Sequence, residues 1–343
     1  MANISALGID LAKNVFSVHG VDSHGKTVLR KTVTRTKLLP LLSSLSPCLV
    51  GMEACTGAHH FARWLRERGF DARIMASKFV APYRKSSKND SNDAEAICEA
   101  VTRQTMRFVA IKSEEQQALL CLHRVRQARI KERTALINQL RGLLSEFGIV
   151  IGKGRYTAQK ELPFIFEDAS NGLPDLARQV LHDEYQRLLQ LNEQLLSYDR
   201  QLERLASHSN DASRLMSIPG IGAVTATALV ASIGDIHHFN NGREVAAWLG
   251  LVPRQYSTGG KPRLGRITKR GDSYVRTLLI HGTRSVIAVL KDKQDRSSQW
   301  IRQLIERRGI KRASVALAAK NARIVWAVLT HQEIYQRHDG VTM

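Results

Sequence analysis

Short apolar runs, each closed by polar turn residues, dominate the first third of the chain. ISALGID is apolar and ends in the acid Asp10, and NVFSVHGVD and KTVLRKTVTR follow it with a period of two, separated by Gly20 and by Ser23-His24-Gly25. A period of two sends alternate side chains to opposite faces of a strand, so these runs predict a meander. PCLVGMEA is another apolar run ending in an acid, Glu53; the helical AHHFARWLRERG, closed by Gly69, and the strand-like DARIMA come next. The alternation predicts a mixed α/β sheet over residues 1–112.

From there the period changes to that of a helix. Leu136, Leu140, Leu143 and Phe147 fall at helical spacing; Leu181, Leu188, Leu195 and Leu202 then recur every seven residues, with Leu191, Tyr198 and Leu205 in the partner heptad position and Glu184 breaking it once. Residues 113–206 therefore read as two long helices that pair as an antiparallel hairpin or as a coiled coil between two copies, an ordinary bundle core being the alternative. Over 207–343, Ser217-Ile218-Pro219-Gly220-Ile221-Gly222 precedes a small-residue helix. This is similar to a helix-hairpin-helix, in which Gly220 and Gly222 would aim backbone N–H groups at a phosphate; a plain packing corner is the alternative. REVAAWLGLVP, a basic loop and two further helical stretches complete the segment, the later being KRASVALAAKNARIVWAVL.

Charge narrows the partner. The 343 residues carry a formal net charge of +20, far more than solubility needs, which points to a polyanion and best to nucleic acid. Its distribution is +8 over 1–112, 0 over 113–206 and +12 over 207–343. No apolar run approaches the roughly 20 residues of a spanning helix. MANISALGID lacks the charged lead and apolar core of a signal peptide, so the reading is a cytosolic protein with no membrane role, on the nucleoid when acting. Cys48, Cys55, Cys98 and Cys121 form no CxxC pair and read as reduced, mostly buried thiols rather than zinc ligands or disulfides. Aromatic residues make up 6% of the chain, which argues against an extended base-stacking platform.

Candidate chemistry lies in two places. Asp10 and Glu53 each interrupt an apolar strand, where an unpaired carboxylate is costly to bury, and SKNDSNDAEA supplies Asp90 and Asp93 at i, i+3 near a helix start. Acids at neighbouring strand ends and on one helical face could share divalent metals through hard oxygen ligands, as in two-metal phosphoryl transfer. A turn acid at Asp10 and a helix N-cap at Asp90 or Asp93 are the plainer readings. Glu95 and Glu99 stand a turn further, solvated or behind the ligands, and His59 and His60 read as packing or surface residues. The second place is LVPRQYSTGGKPRLGRITKRG, where Ser257, Thr258, Gly259 and Gly260 sit among Arg254, Lys261, Arg263, Arg266, Lys269 and Arg270. A hydroxyl attacking phosphorus needs neighbouring positive charge, and glycines let a main chain approach a phosphate closely.

GIDLAKNVFSV, GMEACTGAHH, SKNDSNDAEA, IPGIG and GLVPRQYSTGGKPRLGRITKRGD, in this order, resemble the insertion-sequence "one-ten" family of DEDD transposases, its one-one-one-one subgroup in particular, to which Piv-type DNA invertases are related. The match runs nearly end to end. The resemblance implies an α/β RuvC-like (ribonuclease-H-type) N-terminal domain over 1–112, a helical coiled-coil connector over 113–206 and a mainly α C-terminal transposase domain over 207–343. It also implies RNA-guided recombination of donor and target DNA, with Mg²⁺, two ions per active site, and a non-coding guide (bridge) RNA as cofactors. Dimers, and tetramers in the synaptic complex, are implied as well. By motif Asp10, Glu53, Asp90 and Asp93 take the places of the DEDD acids and serve as metal ligands.

The family's nucleophilic serine falls at Ser257 counting back from Gly271 and at Thr258 counting forward from Pro253. Ser257 is preferred, its primary hydroxyl being less hindered, with Thr258 the alternative nucleophile. Serine attack through a phosphoserine intermediate, at a site composed from two protomers, is the mechanism this implies. A RuvC-type structure-specific endonuclease using water and a non-catalytic nucleic-acid-binding protein are the competing readings.

Overall fold

The computed structural model describes residues 3–85, 87, 89–261, 263–291 and 293–336. The chain divides into two compact units, Met1–Glu115 and Gln116–Met343. The second takes in nearly all of the helical segment expected at 113–206 together with the basic segment beyond it.

In the first unit the three N-terminal runs form β1 (Ala6–Asp10), β2 (Val15–Val21) and β3 (Thr27–Thr34), antiparallel in succession. β4 (Leu49–Glu53) joins β1 in parallel, β5 (Asp71–Met75) joins β4 in parallel, and the short β6 (Phe108–Val109) closes the edge antiparallel to β5. The sheet order is β3-β2-β1-β4-β5-β6. Its helices are α1 (Arg35–Ser43), α2 (Ala58–Arg66), the short α3 (Ser77–Val80) and α4 (Asp90–Val101). Residues of one parity, Leu7, Ile9, Phe16, Val18, Val50, Met52, Ala72 and Ile74, pack with Leu38 and Leu42 of α1 and Phe61 and Leu65 of α2. The opposite parity faces α4, where Met75 packs with Ile97, Ala100 and Val101.

In the second unit α5 (Glu114–Ser145) and α7 (Asp175–Ser207) run antiparallel, since Arg126 pairs with Asp199 while Glu132, further along α5, pairs with Arg187, earlier on α7. The hairpin alternative is therefore realised within one chain. A third helix, α6 (Arg155–Glu167), lies between them in sequence and shares their core through Ala158 and Leu162. In that core α5 buries Leu136, Ile137, Leu140 and Leu144, while Leu143 and Phe147 are exposed. On α7 the heptad leucines 181, 188, 195 and 202 and Leu191 are buried, whereas Leu205 is exposed.

The rest of this unit is α8 (Asn210–Met216), α9 (Ala223–Ile233), α10 (Gly242–Trp248), a two-stranded hairpin of β7 (Pro253–Gln255) and β8 (Leu264–Ile267), then α11 (Ser273–Ala288), α12 (Arg296–Arg308) and α13 (Ile310–His331). Three helices thus follow the basic stretch where two were expected, because Gly309 (φ 77°) separates α12 from α13. α9 is buried over most of its length and packs with Leu215, Val245, Leu249, Val275, Leu279 and Val325. Among the described residues no helix is long and apolar enough to cross a membrane. Of the four cysteines only Cys98 is buried; Cys48 is half-buried, and Cys55 and Cys121 are exposed.

Candidate active site

β1 and β4 lie side by side in register, from Ala6 opposite Leu49 to Ile9 opposite Met52. The next residue on each strand is an acid, Asp10 on β1 and Glu53 on β4. Strand alternation places both on the face that also carries Gly8 and Gly51. A Cβ at Gly8 would overlap Ala94 and Cys98, and one at Gly51 would overlap Val101, so the missing side chains are what lets α4 lie directly on the sheet. The Cys98 thiol donates to the Ala6 carbonyl at 3.5 Å while Ala94 lies over Gly8. α4 therefore runs against β1, and its first turn, with Asp90 and Asp93, comes to the end of the sheet where Asp10 and Glu53 stand.

Asn89 caps this helix, its side chain accepting from the Asn92 N–H at 2.8 Å, so neither Asp90 nor Asp93 is the N-cap. Asp10 is the last residue of a strand rather than a turn acid. Asp90 is exposed, while Asp93 is mostly covered and takes an ion pair from Arg84 at 3.0 Å. Lys85 bridges Glu95 at 3.7 Å and Glu99 at 3.0 Å, and Arg103 also binds Glu99, whose carboxyl these cations hold below its ordinary range. Among the described residues no three His, Cys, Asp or Glu side chains draw together closely enough to hold a metal ion. The four carboxylates nevertheless suit a hard divalent cation chemically, and Asp93 is ion-paired with Arg84.

Three residues near these acids were not singled out by the sequence. The exposed Cys55 thiol lies within electrostatic reach of Asp10 and Glu53; burial, followed by those two charges, pushes its pKa up. His19, opposite Gly8 in the β1–β2 register, is buried with Nδ1 unpartnered among the described residues, and burial outweighs the pull of Glu95 to lower its pKa. Arg84 precedes the SKND motif, and that adjacency of a cation run to the acids was the one available hint. His59 accepts from the Lys112 N–H at 3.2 Å and His60 packs edge-on against Phe61; neither joins the acids.

The basic stretch is a hairpin rather than an open loop. Tyr256 donates its N–H to the Arg263 carbonyl at 2.8 Å, and Lys261 donates to the Thr258 carbonyl at 3.2 Å. Gly259 (φ 58°) and Gly260 (φ 74°) are the central residues of that turn, the double positive φ of a type I′ hairpin. Their positive φ makes the tight turn, a role beside the close backbone approach to a phosphate that the sequence suggests. Ser257 stands just before the turn, exposed, its Oγ accepting from the Gln255 amide at 2.8 Å. Thr258 is a turn corner. Arg254, Lys261, Arg263, Arg266, Lys269 and Arg270 are all exposed on this hairpin and its base, and none forms an ion pair among the described residues. The base is fixed by Lys269 N–H to the Gly250 carbonyl and Thr268 N–H to the Val252 carbonyl.

The glycines of the α8–α9 turn divide their work. Gly220 (φ 87°) packs against Gly282 of α11, where a Cβ would fall 2.8 Å from the Gly282 carbonyl oxygen. Gly222, at the start of α9, is exposed with nothing near it.

Two family profiles match the chain: a DEDD transposase domain of the IS110 type over residues 7–149, and the domain described as "Transposase IS116/IS110/IS902 family" over residues 212–300. The chain is 46% identical to the "Probable family 20 transposase" of Pseudomonas aeruginosa, over 97% of this chain and 99% of that protein. It is 45% identical to the "Transposase for insertion sequence element IS1111A" of Coxiella burnetii, covering 98% of this chain and 92% of the relative. The "Transposase for insertion sequence element IS1328" of Yersinia enterocolitica is 40% identical over 98% of this chain and its own entire length. The acids lie within the first matched region and the serine hairpin within the second; the chain belongs to the IS110 family of insertion-sequence transposases.

Proposed function

We propose that this transposase cuts and rejoins DNA through a covalent serine intermediate, with the four acids as the divalent-metal site and Ser257 as the nucleophile. The observation that carries the reading is the placement of Asp10 and Glu53 in register on adjacent parallel strands, under the first turn of the helix that bears Asp90 and Asp93. The strand order, three antiparallel strands followed by two parallel ones, supports a RuvC-like, ribonuclease-H-type domain.

Asp10, Glu53, Asp90 and Asp93 would hold Mg²⁺, two ions per site, once Arg84 yields Asp93. When bound, the metal polarises the scissile phosphate and offsets charge on its oxygens. The Ser257 hydroxyl gives its proton to solvent water as its Oγ bonds to phosphorus; the bond from phosphorus to one deoxyribose oxygen breaks, and that oxygen takes a proton from water and leaves as a hydroxyl. Attack by a deoxyribose hydroxyl of the partner strand then reverses the step, releasing Ser257 and requiring no external energy source. The six cations of the hairpin would hold the phosphodiester and its charge.

A guide RNA pairing with donor and target DNA is the second nucleic acid in this reading, supported by the +12 charge of residues 207–343 and the sparse aromatics. Homo-oligomers are supported by large exposed apolar side chains towards the end of the α5–α7 hairpin, among them Val150, Tyr156, Phe164 and Leu176. The exposed Gly222 leaves the helix-hairpin-helix reading open as a backbone contact to phosphate, whereas Gly220 serves packing.

One observation favours a hydrolytic endonuclease instead. Ser257 accepts from Gln255, an amide that cannot take up its proton, and water would then be the attacking group. The non-catalytic reading falls with membership of a transposase family. Mass spectrometry of protein trapped on recombining DNA with guide RNA and Mg²⁺ separates the remaining cases. An adduct on Ser257 establishes the proposal, one on Thr258 keeps the mechanism and moves the nucleophile, and cleaved DNA with no adduct leaves the hydrolytic nuclease.

A further inference from the structure

The stretch Glu306–Arg307–Arg308–Gly309–Ile310–Lys311–Arg312 joins α12 to α13 and is exposed at every residue. Arg307, Arg308, Lys311 and Arg312 form no ion pair among the described residues, and Glu306 is the one acid in the run.

Helix stability explains only half of this charge. Arg307 and Arg308 end α12, where the negative end of the helix favours cations. Lys311 and Arg312 stand in the first turn of α13, the positive end, which disfavours them. In a chain already at +20, solubility gives no reason to gather like charges there.

This corner is also separate from the serine hairpin. The hairpin leads into the start of α11 at Ser273, whereas α13 meets α11 near its other end, Thr283 donating to the Ser314 carbonyl at 3.0 Å. Ten residues of helix, about 15 Å, lie between those two points of α11.

We propose that the α12–α13 corner is a second nucleic-acid site, gripping the phosphate backbone of a duplex at a distance from the hairpin. It recognises phosphodiester charge, the sequence-independent part of nucleic-acid binding, through Arg307, Arg308, Lys311 and Arg312. The shared chemistry is a duplex backbone, of DNA or of structured RNA. The inference does not depend on which hydroxyl, if any, attacks phosphorus.

The test is equilibrium binding of the full chain in EDTA, without cleavage, to a 40-base-pair DNA duplex and to an RNA duplex of matching sequence across a salt series. R307A/R308A/K311A/R312A should flatten the log Kd versus log salt slope by about 3 to 4 on the duplex it grips, close to 0.9 per cation removed, and weaken binding about tenfold or more at low salt. R307K/R308K should keep the wild-type slope. A flattened slope on one duplex alone supports the site and identifies its ligand. Unchanged slopes on both, or an equal loss in the charge-preserving variant, overturn the proposal. Because nothing in this assay requires Ser257 or metal, its failure is distinct from failure of the serine mechanism.

Discussion

Arg84 donates to the carboxylate of Asp93 at 3.0 Å, so a cation of the protein itself occupies one of the four acids that the family motif assigns to metal. In the proposed metal site a divalent ion would compete with that guanidinium. Arg84→Gln should therefore lower the Mg²⁺ concentration needed for DNA cleavage. A partly covered pair of this kind contributes about 1 kcal/mol, or roughly fivefold in apparent affinity. Titration of cleavage against Mg²⁺ reads this directly. A requirement that rises in the variant would mean that Arg84 supports the site rather than competes for it.

Cys55 reports on the same place. Burial raises its pKa most, and the charges of Asp10 and Glu53 raise it further. A cation bound between those acids offsets their charge, which lowers the thiol pKa and increases the thiolate fraction at fixed pH. In a Cys121→Ser background, alkylation of Cys55 at pH 8 should accelerate on adding Mg²⁺ and show no acceleration in Asp10→Asn/Glu53→Gln. Burial pushes Cys48 up to about 11 and Cys98 up to about 12, so neither competes. Equal rates with and without Mg²⁺ would place the metal elsewhere.

The turn of the serine hairpin depends on two residues with positive φ, Gly259 and Gly260. A β-branched side chain in that conformation costs about 1–2 kcal/mol, whereas asparagine tolerates it. Gly260→Val should cut the yield of covalent protein–DNA product severalfold, and Gly259→Asn should nearly preserve it. Because the tip is exposed and apart from the core, thermal unfolding should be the same in both. Full product yield from Gly260→Val would show that the turn geometry does not position the hydroxyl.

The acids were legible because a carboxylate at the end of an apolar period-two run is conspicuous, as at Asp10 and Glu53. Their register was not, since it follows from β1 pairing with β4 across a long stretch of intervening chain. Arg84 and Cys55 stayed hidden for the same reason: their partners are set by the approach of α4 and by the strand ends, which leave no local pattern. α1 was missed because Pro40 sits inside it and its four leucines run together around that proline, which leaves no helical stripe in the pattern. On α5 the leucine spacing marked the helix and two of its buried residues, Leu136 and Leu140, whereas the core it shares with α6 and α7 also takes Ile137 and Leu144 and leaves Leu143 and Phe147 exposed. The hairpin was read as a loop because the STGG turn and its flanking cations carry too short an alternation to mark strands.

His123 gives the last prediction. It is buried between the Tyr274 hydroxyl, 3.0 Å from Nδ1, and the Thr227 hydroxyl, 3.1 Å from Nε2, joining α5 to α11 and α9. Burial is the main cause, with Arg126 adding to it, that lowers its pKa from 6.5 to about 4. The folded chain thus favours the neutral ring. Its contribution is fully present above the unfolded-state pKa near 6.5 and is lost as pH falls from there towards 4, up to about 3 kcal/mol. The melting temperature of the wild type should fall between pH 7.5 and pH 4.5, and His123→Gln, which keeps an amide for hydrogen bonding but cannot titrate, should fall less over the same range. Parallel declines in the two proteins would assign the acid sensitivity to other groups and remove His123 as its cause.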